Sequence, residues 1–198
     1  RYLMPEEIAT LLSALKIKSQ TVYEQAFLAI NTGLRFSEVA GLRWGDVNWD
    51  TGTLAILDGK TGSRTVFFNK AVAEMLKAKK NQEKTALVFP DKKGRKQTLI
   101  SRTFQRVADE LFNKDVNDRR LKVTFHTLRH SFGTHVYLNT GDLYLTQKSL
   151  GHKTLVMAQR YAKMSDQKLS KAFTIMSDIL KAEEDKIAKF PKQRKYSE

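Results

Sequence analysis

The chain of 198 residues, 41% of them hydrophobic, is long enough for one domain with its own core. It contains no cysteine, which excludes disulfides, thiolate metal sites and cysteine nucleophiles together. Its 35 lysines and arginines against 21 aspartates and glutamates give a formal net charge of +14, and such a basic surface favours a polyanionic partner, with nucleic acid first.

A high positive charge can also arise without a nucleic-acid partner, but both such cases fit this chain less well. Excess lysine can simply keep a protein in solution, although that usually accompanies smaller imbalances. A basic helix on a membrane surface would concentrate its lysines and arginines, which here are spread along the chain. No apolar run approaches the ~20 residues that span a bilayer, and the first residues do not form a signal peptide, so we expect a cytoplasmic protein without membrane contact.

Apolar residues at helical spacing mark the first part of the chain. Pro5 and the two glutamates after it open a first helix, because proline suits the first turn and carboxylates favour the positive end of the helix dipole. A second helix runs from about Thr21 and breaks near Gly33, which tolerates the unusual dihedrals of such a break. Arg35 starts a third helical stretch, in which Glu38 is expected to orient a neighbouring side chain.

Two β-prone runs, 53–57 and 64–68, flank a glycine-rich connection and predict a β-hairpin. Lys60 lies at the predicted tip, where a lysine is usually just solvated. Arg64 is the other basic residue close by. Because a guanidinium cannot release a proton near neutrality, Lys60 is the better proton donor of the two.

Helical patterns dominate the rest of the chain. They predict an amphipathic helix over 69–80, a core helix from Ser101 that buries Leu111, and a central helix over 126–138 with three of the four histidines. A further helix ends at Gly151. The sequence therefore predicts a mainly α-helical protein with a small antiparallel β-sheet.

The central helix carries His126 and Arg129, which share one face because residues at i and i+3 are neighbours there. His126 and His130 at i and i+4 could suggest a zinc site, but the metalloprotease pattern needs a glutamate where Thr127 stands. His130 and His135 are expected to pack or to support other residues. We therefore expect no metal ion.

Leu150-Gly151-His152 and Tyr161, nine residues after the histidine, follow the central helix. Tyr161 is flanked by Gln159, Arg160 and Lys163, a polar setting that favours a functional role over that of a core aromatic. Beyond it, apolar residues recur at helical spacing and predict a C-terminal helix over about 166–181. These residues are Leu169, Ala172, Phe173, Met176, Ile179 and Leu180. Residues 182–198 are mostly charged and predict a partly disordered tail.

These motifs resemble the signature of the tyrosine recombinases, the phage-integrase family. The family carries His-x-x-Arg, then Leu-Gly-His, then a tyrosine nine residues on. Its two upstream motifs are also present in order, as Thr32-Gly33-Leu34-Arg35-Phe36-Ser37-Glu38 and Asp58-Gly59-Lys60-Thr61-Gly62. One departure is Val66-Phe67, where the family often has Val-Pro.

The resemblance implies the tyrosine recombinase catalytic-domain fold over residues 1–181, without the N-terminal core-binding domain that the family normally carries. It implies a catalytic set of Arg35, Lys60, His126, Arg129, His152 and Tyr161. Tyr161 would be the nucleophile, Lys60 the general acid and His126 the general base, while the other three would stabilise phosphate charge. No cofactor is implied, and the carboxylate cluster of a two-metal nuclease is absent.

The implied function is site-specific recombination through a 3′-phosphotyrosyl intermediate, for integration or excision of a mobile element or prophage. The implied partners are double-stranded DNA recombination sites and a homotetramer on DNA, with a monomer or weak oligomer when free; accessory DNA-bending proteins are also compatible. A type IB topoisomerase-like strand transferase shares the tyrosine chemistry, although the Leu-Gly-His spacing favours recombinases. A catalytically silent DNA-binding module would need only the charge.

Overall fold

Helices and a three-stranded sheet make up the fold in the computed structural model, which describes residues 1–57, 62–79 and 83–162. The helices are α1 (Pro5–Lys18), α2 (Gln20–Thr32), α3 (Phe36–Gly41), α4 (Lys70–Ala78), α5 (Arg102–Ala108), α6 (Phe125–Thr140), α7 (Leu143–Leu150) and α8 (Leu155–Ala162). The strands are β1 (Val47–Asn48), β2 (Thr53–Ile56) and β3 (Arg64–Phe67), and a 3₁₀ turn (Trp44–Asp46) and a π-helix (Asp109–Asn113) complete the elements. In these ranges we find no helix long and apolar enough to cross a membrane.

The sheet is antiparallel, in the order β1-β2-β3, and confirms the predicted hairpin. Leu54 pairs with Val66, and both side chains face the core, while Ile56 pairs with Arg64 at the end of the hairpin next to the connection between the strands. The predicted first strand extended to Leu57, but that side chain is 77% exposed and lies beyond the last pair. Strand β1 was not predicted, because its two residues are too few to show an alternating pattern.

Helix α6 is the central element. It packs against α2, α7 and α8, and its first turns bury Phe125 and Leu128 in the main core. A second, smaller cluster lies at the other side of α6, where Leu150, Ala158 and Tyr161 are buried together. Helix α6 therefore contacts both groups of apolar side chains.

The helix predicted from Ser101 is only partly correct. Ser101 caps α5 through its hydroxyl, but the α-helix ends at Ala108 and continues as a π-helix. A π turn holds more residues than an α turn, so positions after Ala108 leave the predicted core face. Leu111, predicted to be buried, is therefore 40% exposed.

Several predicted features lie outside the described residues. They are Lys60, the C-terminal helix over about 166–181 and the tail over 182–198. The helix predicted over 69–80 is described up to residue 79, and Asn69 proves to be its N-cap, accepting a hydrogen bond from the backbone N–H of Val72 at 3.0 Å.

Helix α1 supplies a matched test of the core. Leu15 is fully buried, whereas Ile17, two residues later on the same helix, is 84% exposed. We expect Leu15→Ala to lower the free energy of unfolding by about 2–5 kcal/mol, because it leaves a cavity. The control Ile17→Ala should change it by less than about 0.5 kcal/mol. Urea denaturation of both variants checks this, and equal losses would contradict the assigned packing of α1.

Candidate active site

Helices α2 and α7 each end at a glycine with left-handed backbone dihedrals. Each of these glycines belongs to one of the motifs predicted for the site. Gly33 ends α2 with φ +68°, and Gly151 ends α7 with φ +64°. At Gly151 the backbone N–H donates to the carbonyl of Lys148 at 3.1 Å, and the N–H of His152 donates to that of Gln147 at 3.0 Å. This pair of bonds is a Schellman motif, which needs a residue without a Cβ at the left-handed position. The glycine of Leu-Gly-His thus fixes where His152 leaves the helix.

Arg129 ties these two helix ends together. Its side chain is 3% exposed, and its guanidinium donates to the carbonyl of Gly33 at 2.6 Å and to that of Leu150 at 2.5 Å. Both acceptors lie at helix C-termini, where unpaired carbonyls and the helix dipole present partial negative charge. Burial, and secondly the cation of Arg35, lower the pKa of Arg129 to about 10, so it remains charged at neutral pH.

Arg35 caps the start of α3 and is held by Glu38. The carboxylate of Glu38 accepts the backbone N–H of Arg35 at 2.7 Å and its side-chain Nη1 at 2.9 Å. The same carboxylate accepts two bonds from Arg64 of β3, at 2.7 and 2.8 Å. Burial raises the pKa of the Glu38 carboxyl, but the bonds from Arg64 and Arg35 and both charges outweigh it, so that its pKa lies below its ordinary value. Glu38 therefore stays ionised between two arginines, which agrees with its expected orienting role.

Two histidines of α6 lie in series toward Tyr161. The rings of His126 and His130 meet edge to face with centroids 4.6 Å apart, and Nδ1 of His130 lies 3.4 Å from the hydroxyl of Tyr161. Sequence reasoning assigned His130 to packing or support and did not foresee this contact. Burial, and then the neighbouring His126 and arginine charges, lower the pKa of His130 to about 4. Partial burial and arginine charges also lower the pKa of the more exposed His126.

Tyr161 is 3% exposed, despite its polar neighbours in the sequence. One turn of α8 places Ala158 and Tyr161 inward, against Leu150, while Gln159 and Arg160 remain exposed. Polar flanks therefore do not prevent burial when the helix presents one narrow face. Burial raises the pKa of the Tyr161 hydroxyl above its ordinary value of 10.0, and arginine charges oppose this only in part.

His152 lies beside Tyr161, with the two rings nearly parallel at 9° and their centroids 6.3 Å apart. Its Nδ1 is buried and has no hydrogen-bond partner in the part of the chain that the structure describes. Burial, followed by the charges of Arg129, Arg160 and other arginines, lowers the pKa of His152 to about 4. The ring is therefore neutral near pH 7.

The structure brings together the side chains of five predicted site residues, namely Arg35, His126, Arg129, His152 and Tyr161. Their elements are the start of α3, the first two turns of α6, the end of α7 and the last turn of α8. The sixth, Lys60, lies outside the described residues. Over residues 1–57, 62–79 and 83–162, no cluster of three or more histidine or acidic side chains is placed to hold a metal ion.

Comparison with known proteins identifies the class to which this fold and site belong. The model of the phage integrase family matches residues 1–168, so the chain belongs to that family, as its motifs predicted. Tyrosine recombinase XerA of Pyrococcus furiosus is 29% identical over 177 residues, which are 86% of this chain and 59% of the relative. The chain thus spans less than two thirds of that protein.

Solved structures confirm the fold. The structure of XerH site-specific recombinase bound to a palindromic difH substrate matches with a TM-score of 0.68 and 23% identity over 89% of this chain and 53% of that one. The catalytic domain of bacteriophage HP1 integrase matches with a TM-score of 0.63 and 23% identity over 87% of this chain and 93% of that one. The predicted mainly helical catalytic-domain fold with a small antiparallel sheet is therefore correct.

The lowered histidine pKa values predict a pH-dependent stability. The pKa of His130 is about 4 in the folded protein against an ordinary 6.5, so between these values the unfolded chain binds more protons. The free energy of unfolding should therefore rise as the pH increases from about 4 to about 6.5, by at most about 3 kcal/mol for this group. Urea denaturation at several pH values measures the rise, which should be smaller in His130→Gln. An unchanged rise in that variant would show that His130 does not titrate in this way.

Proposed function

We propose that residues 1–181 form the catalytic domain of a site-specific tyrosine recombinase that cleaves and rejoins DNA strands through a 3′-phosphotyrosyl intermediate. The observation that carries the proposal is the bridge made by Arg129, which joins the Arg35 and His152 segments beside Tyr161. A phosphodiester needs positioned cations around its non-bridging oxygens and an oxygen nucleophile in line with the leaving group. This arrangement supplies the cations and places a tyrosine beside them.

The phosphate is held by Arg35, Arg129 and His152. A guanidinium matches phosphate oxygens with a planar fork of donors and stays charged throughout the reaction. The side chain of Arg35 is 29% exposed and thus accessible, while Arg129 retains N–H groups beyond the two that bind carbonyls. Since Nδ1 of His152 is buried, Nε2 is the nitrogen available to a phosphate oxygen.

The covalent step forms a bond between the Tyr161 oxygen and phosphorus and breaks the bond from phosphorus to the 5′ oxygen. The Tyr161 proton passes to His126 as the general base, which is the exposed member of the imidazole pair; the other ring, His130, contacts the hydroxyl while Tyr161 is buried. Lys60 donates a proton to the departing 5′ oxygen. A 5′ hydroxyl of another strand reverses the step, and no ATP is needed because the phosphotyrosyl bond retains the phosphodiester energy.

Attack on a phosphate requires the Tyr161 hydroxyl to move out of its buried position. Its side chain is buried in the small cluster beside α6, and its hydroxyl lies 3.4 Å from Nδ1 of His130, so it must leave this contact to attack a phosphate on DNA. We therefore include in the proposal a displacement of α8 that brings the hydroxyl to the phosphate held by Arg35 and Arg129. The raised pKa of the buried phenol fits a nucleophile that is inactive until this displacement.

The proposed partner is a double-stranded DNA recombination site. The net charge of +14 favours a phosphate backbone, and the related XerH structure contains its DNA substrate. The active assembly is a homotetramer on DNA, with a monomer or weak oligomer when free and accessory DNA-bending proteins as further partners. The proposed role is integration or excision of a mobile element or prophage.

Tyr161→Phe tests the nucleophile. On a suicide substrate, whose nick traps the covalent adduct, this variant should form no adduct, because only the attacking oxygen is lost. DNA affinity, measured by fluorescence anisotropy, should stay within about twofold of wild type, since the phosphate contacts remain.

The matched control is Tyr144→Phe, since Tyr144 is 66% exposed on the neighbouring α7. Its adduct yield should equal that of the wild type. A wild-type yield with Tyr161→Phe would place the nucleophile elsewhere and refute the mechanism.

Lys60 is tested separately from general loss of charge. General acids contribute about 10²- to 10⁴-fold, so Lys60→Ala should slow single-turnover cleavage by a factor in that range. A 5′-bridging phosphorothiolate has a leaving group that needs no proton, and on it Lys60→Ala should react at nearly the wild-type rate. Arg129→Ala should remain slow on both substrates. Without rescue of Lys60→Ala, the acid must be another residue.

A further inference from the structure

Arg64 makes a bidentate contact with the carboxylate of Glu38. Its Nη1 and Nη2 donate to the two carboxylate oxygens at 2.7 and 2.8 Å, and its side chain is only 12% exposed. The same carboxylate binds both the backbone N–H and the side chain of Arg35. A shift of Arg64 would therefore move the Glu38 carboxylate and, with it, Arg35. A fork-to-fork pair restricts orientation as well as distance.

Arg64 also lies against the Leu-Gly-His turn. A Cβ on Gly151 would overlap the Cδ and Nε atoms of Arg64, so the side chain runs directly across the backbone of that glycine. The Nε atom is buried there and finds no hydrogen-bond partner within the described ranges. The guanidinium therefore fills the space between α3 and the turn that presents His152.

Arg64 is also the first residue of β3, four positions after Lys60 in the chain. Its backbone is fixed by pairing with Ile56 of β2, and its side chain is fixed by Glu38. One residue thus links the start of β3, the Arg35 segment and the Leu-Gly-His turn.

We propose that Arg64 is a positioning residue, which sets the phosphate-binding Arg35 at its working distance from His152 and anchors the strand that follows Lys60, the proposed general acid, in the chain. This inference rests on the proposed function and assigns a positioning role to one further residue of that site. Arg64 acts through Glu38, Gly151 and its own strand, because both terminal nitrogens of its guanidinium are engaged by the Glu38 carboxylate. A lysine could not replace it, since an ammonium offers no planar fork for the two oxygens of Glu38.

The experiment compares Arg64→Lys with wild type in single-turnover cleavage of two suicide substrates, one ordinary and one with a 5′-bridging phosphorothiolate. A displacement near 1 Å can cost about a hundredfold in rate, so we expect a loss of that order on the ordinary substrate. On the phosphorothiolate, which needs no acid, the loss should be at most about tenfold, and it then reports the displacement of Arg35 alone.

The control is Arg120→Lys, because Arg120 makes a comparable two-pronged contact with Asp118 on the surface. Both of its rates should stay within about twofold of wild type. The ratio of the two substrate rates does not depend on how much protein is folded, so partial unfolding of Arg64→Lys cannot imitate the expected result.

Equal losses on both substrates, or rates like those of the wild type, would overturn the positioning role. Absence of a covalent adduct with wild-type protein on either substrate would instead refute the proposed function. The two failures are therefore distinguishable in one set of reactions.

Discussion

A buried guanidinium that contacts no carboxylate among the described residues is the constraint on which the site depends. Arg129 donates to the carbonyls of Gly33 and Leu150, so its charge is stabilised by hydrogen bonds to the C-termini of two helices. Each helix end carries only partial negative charge, which stabilises the cation without neutralising it. The positive charge therefore remains available to a phosphate, and the same two bonds hold the Arg35 and His152 segments at a fixed separation.

The electrostatic state of the site follows from this arrangement. Arg35, Arg64, Arg129 and Arg160 all act on His152 and lower its pKa, and Glu38 is already engaged by two of these arginines. Cations held at close range repel one another, and an added phosphate would relieve that repulsion. In the proposed mechanism, binding of the scissile phosphate therefore also stabilises this arrangement of arginines, which is costly without an anion.

The sequence predicted those parts of the site that depend on local geometry. Arg129 follows His126 at helical spacing, Gly151 requires a left-handed turn, and two β-prone runs pair as the predicted hairpin. These features are set by neighbours within a few residues, so a linear pattern shows them. The contact of Arg64 with Glu38 joins positions 26 residues apart, and no spacing rule connects a strand residue with a helix residue at that separation.

The burial of Tyr161 could not be predicted from the sequence either, because it depends on which face of α8 packs against α6. That face is small. Ala158 and Tyr161 enter a cluster with Leu150, whereas Leu155 and Val156 on the same helix are exposed. Releasing one large side chain from such a cluster costs about 1.5–3 kcal/mol, well below the cost of unfolding the domain. Segments with few buried contacts are those that open locally, so α8 can deliver its tyrosine while the Arg129 bridge between α2 and α7 stays intact. The proposed nucleophile and the proposed phosphate site thus belong to parts of the fold with different stability, so in the proposed mechanism cleavage can be controlled by moving the first without disturbing the second.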